Sequence, residues 1–147
     1  MKYDVRIKKL RDNAAVPTYG SDFAAGADLY AAIEEGFIIA PGETKLIPTG
    51  LAFEIPVGYA GFVYARSGLA SKRGLAPANK VGVIDSDYRG EVMVALHNHG
   101  TENQIVEPGE RIAQMVIAPF ITANFILSDS LDDTERGEGG FGSTGRK

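Results

Sequence analysis

Glycine and proline interrupt this chain so often that no long helix fits into it. Its 147 residues include 18 glycines and 7 prolines, and the breaks recur at Pro41-Gly42, Pro48, Pro56, Gly58, Gly90 and Pro108-Gly109. Proline removes an amide donor and glycine opens the left-handed turn region, so short elements must lie between them. The apolar residues left over alternate or form short β-branched runs: Tyr3, Val5, Ile7; Phe37, Ile38, Ile39; Phe62, Val63, Tyr64; Val92, Val94, Leu96; Ile112, Met115, Val116, Ile117. Turn signals spaced by roughly 8 to 12 residues give the rhythm of an all-β sandwich or barrel. One short helix is predicted over residues 67–73, with Ser67 as its N-cap, Leu69 and Ala70 turned inward and a stop at Gly74.

Composition narrows the function classes. With 44% hydrophobic and 23% charged residues the chain can build one ordinary core. A net charge of −4 argues against a broad electrostatic grip on DNA or RNA, though it leaves room for a local anion pocket. The absence of cysteine removes disulfides, thiolate metal sites and a cysteine nucleophile, and suits a reducing compartment. The first residues, MKYDVRIKKLRD, lack the apolar run of an export signal. The longest uncharged stretch, residues 112–128, is interrupted by Gln114, Pro119 and Asn124, and a span needs about 20 mostly apolar residues. A cytoplasmic protein without membrane or nucleic-acid partners is expected.

Four internal segments could carry chemistry. In AGADLYA, residues 25–31, Asp28 stands among apolar neighbours. An aspartate so placed is ordinarily a cap or turn former, but it could also hold a water or the hydration shell of a cation. In ARSGLA, residues 65–70, Arg66, Ser67 and Gly68 stand at a strand end and helix opening, where a guanidinium, a hydroxyl and backbone amides make a compact phosphate site. In NKVGVIDSDYRGEVM, residues 79–93, alternation into a turn at 85–90 and out again predicts a hairpin. Asp85 and Asp87 are natural turn residues, yet a carboxylate at such a mouth could orient water as a general base. In GERIAQMV, residues 109–116, Gln114 interrupts an apolar strand and must find partners in backbone or ligand.

The end of the chain differs from all of this. RGEGGFGSTGRK, residues 136–147, holds five glycines and three basic residues around Phe141, too little apolar surface for a core. Composition alone balances a frayed terminus against a flap that closes over a ligand, and the lone aromatic favours the flap. His97 and His99 lie two apart on an expected strand and so share a face, but no third ligand accompanies them.

Taken in order, AGADLYA, ARSGLA, NKVGVIDSDYRG, GERIAQMV and RGEGGFGSTG resemble the five ordered motifs of the homotrimeric deoxyuridine triphosphate nucleotidohydrolases, the dUTPases. The resemblance implies a jelly-roll-like β-barrel over residues 1–135, a closing tail over 136–147, and active sites shared between three subunits. It implies hydrolysis of dUTP to dUMP and pyrophosphate by water attack at the α-phosphorus, which limits uracil in DNA and supplies dUMP for thymidylate synthesis. Asp85 would activate the water, and Tyr88 would lie under the deoxyribose. Asn79, Gly82, Val83, Ile84 and Met93 would receive uracil. Arg66, Ser67, Gly68 and Gln114 would hold phosphates, and Arg136, Phe141, Gly142, Ser143 and Thr144 would close over base and γ-phosphate. Mg²⁺ would ride on the triphosphate, with Asp28 reaching it only through water.

Two other readings are separable. A dCTP deaminase-like enzyme needs a further catalytic glutamate, and laying its pattern over IDSDYRGEVMVAL puts that position at Ala95. A catalytically silent nucleotide-binding module would be expected to lose the base or the tail, whereas Asp85, Arg66, Gln114, Arg136 and Phe141 are all present.

Overall fold

The computed structural model describes residues 2–145, and its strands form four hydrogen-bonded groups. The largest runs β2(Thr18–Tyr19), β3(Ala27–Tyr30), β12(Arg111–Pro119), β7(Tyr59–Tyr64), β9(Gly82–Ile84). A second sheet places β10(Met93–Asn98) between β5(Thr44–Pro48) and β8(Leu75–Pro77). Two pairs complete the set, β1(Arg6–Lys9) with β6(Leu51–Glu54) and β11(Gln104–Val106) with β4(Phe37–Ile39). Every pairing is antiparallel, and most neighbours are distant in sequence, so the sheets wrap one core as a jelly-roll-like barrel.

The core is built from strand positions that alternate inward. Leu29, Ile39, Ile47, Leu96, Val106 and Ile112 are wholly or almost wholly buried and come from six different strands. On β10 the pattern is strict, with Val94, Leu96 and Asn98 inward. Asn98 is the polar member, and its amide is used up: Nδ2 donates to Ile39 O and Glu102 O, both at 2.8 Å, while Oδ1 accepts from Gly100 N at 2.9 Å.

The helix α1(Ser67–Arg73) forms where the sequence places it, but it starts one residue earlier than expected. Arg66, extended at φ −91° and ψ 133°, is the N-cap and gives no side-chain cap, so Ser67 is the first helical residue. Gly74 ends it in the left-handed region at φ 65°.

The predicted hairpin is a larger departure. β9 bonds to β7, while β10 bonds to β5 and β8. The connection 85–92 therefore arches from one sheet to the other, through a local turn in which Tyr88 N donates to Asp85 O at 3.2 Å, and at its far end Val92 N donates to Leu51 O at 2.8 Å. The reason is burial: Val92, Val94 and Leu96 belong to the core, Val94 and Leu96 on β10 between β5 and β8 and Val92 just before it, bonded to Leu51 O. After Pro119 no described residue is in a strand, and residues 121–135 are exposed in the single chain. Among the described residues no helix is long and apolar enough to cross a membrane.

Candidate active site

Asp28 is neither a cap nor a turn residue. It sits inside β3, 8% exposed, in a strand whose two faces are both covered. Its carboxylate is held by two guanidinium groups: Arg66 Nε donates to Oδ1 at 2.8 Å, and Arg111 Nη1 lies 3.4 Å from Oδ2. A carboxylate this buried needs such partners. In return it fixes the Arg66 side chain across two strands of the sheet.

The arrangement depends on register. Asp28 and Tyr30 share a face of β3, opposite Gln114 and Arg111 respectively. Three residues apart, Arg111 and Gln114 would point oppositely on a regular strand. The register shift between Arg111 and Ala113 inserts one residue and brings both to the Asp28 face. Gln114 also stands opposite Tyr64 on β7, and two extended residues later Arg66 comes to the same face. Gln114 Nε2 donates to Ala65 O at 2.9 Å, so its partner is backbone. Gly26 lies tight against it: a Cβ there would stand 2.3 Å from Gln114 Oε1. Ser67 and Gly68 are exposed beside Arg66.

At the other margin of this sheet, β9 is an edge strand with one side of its backbone unpaired. Val83, opposite Phe62, is exposed, while Gly82 and Ile84 face Val63 and Gly61. Asn79 lies in the turn before β9, its side-chain amide near Gly82, and Lys80 takes φ 65° to make that turn. Asp85 follows directly after β9, exposed, with no side-chain hydrogen bond or ion pair among the described residues. Tyr88 Oη donates to Glu91 O at 2.9 Å and its ring lies over Gly90, where a Cβ would stand 2.4 Å from Oη. Met93 opens β10, partly exposed.

The two clusters are far apart within one chain. Ile84 pairs with Gly61, so Asp85 lies near the level of Ala60, whereas Asp28, which receives Arg66, lies at the level of Tyr64 and three strands away. Three strand spacings and four residues along the strand separate them by roughly 20 Å. The tail stands apart from both. Arg136 Nε donates to Gly139 O at 2.7 Å, Ser143 N to Gly140 O and Gly145 N to Gly142 O, all local bonds. Phe141 is fully exposed at φ 50°. Residues 146–147 of the expected tail lie outside the described residues.

Sequence reasoning missed Arg111. The residue is visible in GERIAQMV, but its direction depends on a bulge that alternation alone does not reveal.

Comparison with known proteins identifies the family. The family model described as dUTPase matches residues 12–145. A deoxyuridine 5′-triphosphate nucleotidohydrolase of Desulfitobacterium hafniense (strain DSM 10664 / DCB-2) is 55% identical over 144 residues, covering 96% of this chain and 95% of the relative. One of Nautilia profundicola (strain ATCC BAA-1463 / DSM 18972 / AmH) is 54% identical, covering 97% and 99%. Among solved structures, a mutant dUTPase of Staphylococcus bacteriophage 80alpha with dUpNHpp superposes with a TM-score of 0.89 at 30% identity, covering 98% of this chain and 99% of that one. A mutant dUTPase of phage phi11, described with a structural Mg(II) ion, superposes at 0.79 with 25% identity, covering 87% and 98%. The chain belongs to the dUTPase family.

Proposed function

We propose that the chain hydrolyses dUTP to dUMP and pyrophosphate in sites assembled between copies of itself, with Asp85 as the base. The observation that carries this reading is the unpaired Asp85 carboxylate at the end of an open strand edge, in a chain whose relatives are named for that reaction. Asp85 orients a water and accepts its proton as the oxygen attacks the α-phosphorus. The bond to the bridging oxygen breaks, and pyrophosphate leaves with the electron pair. Arg66 stabilises the charge that grows on it, pre-aimed by Asp28 so that little reorganisation is needed. Ser67, Gly68 and Gln114 add phosphate contacts.

Base and sugar selection follow from the strand edge and the arch. The free edge of β9, with Asn79 beside it, offers backbone groups to uracil, and Met93 completes the pocket. Cytosine would present a donor where uracil presents an acceptor, and the buried mismatch would be rejected. Tyr88, locked onto Glu91, closes the space a 2′-hydroxyl would need. Arg136, Phe141, Gly142, Ser143 and Thr144 close over base and γ-phosphate, excluding water.

Mg²⁺ bound to the triphosphate would offset its charge. Both Asp28 oxygens are engaged by guanidinium groups, and the described residues hold no cluster of three ligating side chains. That donor set suits an ion held by phosphate oxygens, with Asp28 reached through water.

Because Asp85 and Arg66 are roughly 20 Å apart in one chain, they act on a single triphosphate only when supplied by different copies. Ile121, Phe125, Ile126, Leu127 and Leu131 favour the same assembly. Phe125 is 94% and Leu127 99% exposed in the single chain, an apolar run suited to covering by a neighbour, and a trimer is the assembly that the family resemblance implies. The barrel then serves as one unit and the tail as its closing arm. Zero cysteines suit work in the cytoplasm.

Product analysis tests the reading. With dUTP, dCTP, dTTP and UTP supplied separately with magnesium, pyrophosphate and monophosphate should form from dUTP alone. Ammonia from dCTP, or silence on all four, would overturn it. Asp85→Asn should keep nucleotide affinity while turnover falls by about 10²-fold or more.

A further inference from the structure

Arg11 and Glu91 are 80 residues apart in sequence and meet in an ion pair, with Arg11 Nε 2.8 Å from Glu91 Oε1 and 3.2 Å from Oε2. The connection 85–92, to which Glu91 belongs, bonds largely to itself. Arg89 Nη1 donates to Ser86 O at 2.6 Å and to Tyr88 O at 3.2 Å, and Tyr88 Oη donates to Glu91 O. Among the described residues two ion pairs tie its side chains to the rest of the barrel, and they are unequal. Arg89 lies 3.7 Å from Glu54 with both side chains well exposed, and a pair so open to water adds little. The Glu91 side chain is only 16% exposed. A carboxylate that shielded needs a partner to hold its place, and among the described residues Arg11 is the one it has.

The pair sits where it can steer Tyr88. Leu10 N donates to Gly50 O at 2.7 Å and Val92 N to Leu51 O at 2.8 Å, so one short stretch at the start of β6 holds the neighbours of both partners. Thr49 Oγ1 donates to Val92 O at 2.6 Å. The peptide between Glu91 and Val92 is thereby gripped from two sides, its N–H by Leu51 O and the residue that supplies its carbonyl by Arg11. That carbonyl oxygen is the acceptor of the Tyr88 hydroxyl. We propose that Arg11 is a positioning residue for sugar selection, acting through Glu91 to fix the carbonyl that seats the Tyr88 ring. The inference rests on the reading that Tyr88 closes the space of a 2′-hydroxyl. When the pair is broken, the Glu91 carboxylate turns toward water, its carbonyl shifts with it, and the ring is free to move aside.

The test is steady-state kinetics of the assembled full-length protein on dUTP and on UTP with magnesium, with thermal unfolding measured beside it. Arg11→Met should lower the kcat/KM preference for dUTP over UTP about fivefold or more, through a gain on UTP. Arg11→Lys, which puts an ammonium within reach of the same carboxylate, should recover most of the preference. Glu91→Gln should lower it to a similar extent, and the double variant of Arg11→Met with Glu91→Gln should lose no more than either alone, as members of one contact do. A lower melting temperature with an unchanged preference in Arg11→Met would overturn the proposal, because a merely structural ion pair affects both substrates alike. Losses that multiply in the double variant would overturn it too, since the two residues would then act separately. Should Arg11→Met fail to assemble, Glu91→Gln decides on the same ratio. Tyr88→Ala keeps the two possible failures apart: an unchanged preference there would sink the reading of Tyr88, whereas a lost preference there with none lost in Arg11→Met would sink only the role of Arg11.

Discussion

Mixing two inactive variants should restore activity, and the structure sets how much. Asp85→Asn removes the base, and Arg66→Gln removes the phosphate cation while keeping a donor toward Asp28. Each alone should fall to about 1% of parental turnover or less. Asp85 and Arg66 stand roughly 20 Å apart in one chain, so a site draws them from two different chains. In a trimer that contains both chains, one of the three junctions pairs a chain with native Asp85 and a chain with native Arg66 in the required order, so about one third of the sites recover both native residues. Turnover per site should therefore rise to about 33% of the parent, at least thirty times either variant. The assay is pyrophosphate release from dUTP by assemblies refolded together and purified through two different affinity tags, so that every particle counted contains both chains. Mixed assemblies no more active than their parents would refute the argument, because they would show that one chain supplies both residues.

Three further outcomes follow from particular contacts. Gly90→Ala would place a Cβ 2.4 Å from Tyr88 Oη and 2.6 Å from its Cζ, forcing the ring off Glu91. The kcat/KM preference for dUTP over UTP should then drop about tenfold or more, and an unchanged ratio would remove Tyr88 from sugar selection. Asn98→Ala deletes three hydrogen bonds at a residue with no exposed surface. It should cost roughly 3 kcal/mol, lowering the melting temperature by about 6–12 °C in calorimetry, and a shift under 2–3 °C would show the freed groups finding other partners. His99 is held below the ordinary imidazole value of 6.5, first by desolvation and then by Lys80 and His97. As pH falls through 6.5 the unfolded chain takes a proton that the folded chain resists, so His99 subtracts stability on the acid side and nothing above it. Lys80→Asn, which tolerates the positive φ, should raise the His99 titration midpoint in NMR; an unmoved midpoint would exclude the Lys80 charge as a cause.

Much of the molecule was legible in order along the chain. Strand segments, the short helix over residues 67–73 and the stop at Gly74 all depend on local pattern, which neighbours in sequence set. The residue types of the candidate site were visible too, since a phosphate site needs a guanidinium and a helix opening, and a water-activating site needs a free carboxylate. The reading failed where a segment's fate depends on distant partners. Alternation on both sides of residues 85–90 looks like a hairpin, yet the two strands join different sheets, because β10 buries Val94 and Leu96 in the core between β5 and β8. Asp28 looks like a turn former because an aspartate is seldom buried, and nothing near it in sequence announces Arg66 or Arg111 as its partners.

By itself, then, the amino-acid sequence determined an all-β chain with one short helix, a glycine-rich end and the chemical groups of a nucleotide hydrolase, because periodicity, turn residues and side-chain chemistry are local properties. Direction and distance were decided only by the tertiary structure. A one-residue bulge in β12 turned Arg111 and Gln114 onto the Asp28 face, and the order of strands set Asp85 apart from Arg66. Both depend on which strands share hydrogen bonds across long loops, and that choice is made by the burial of the whole core rather than by any segment within it.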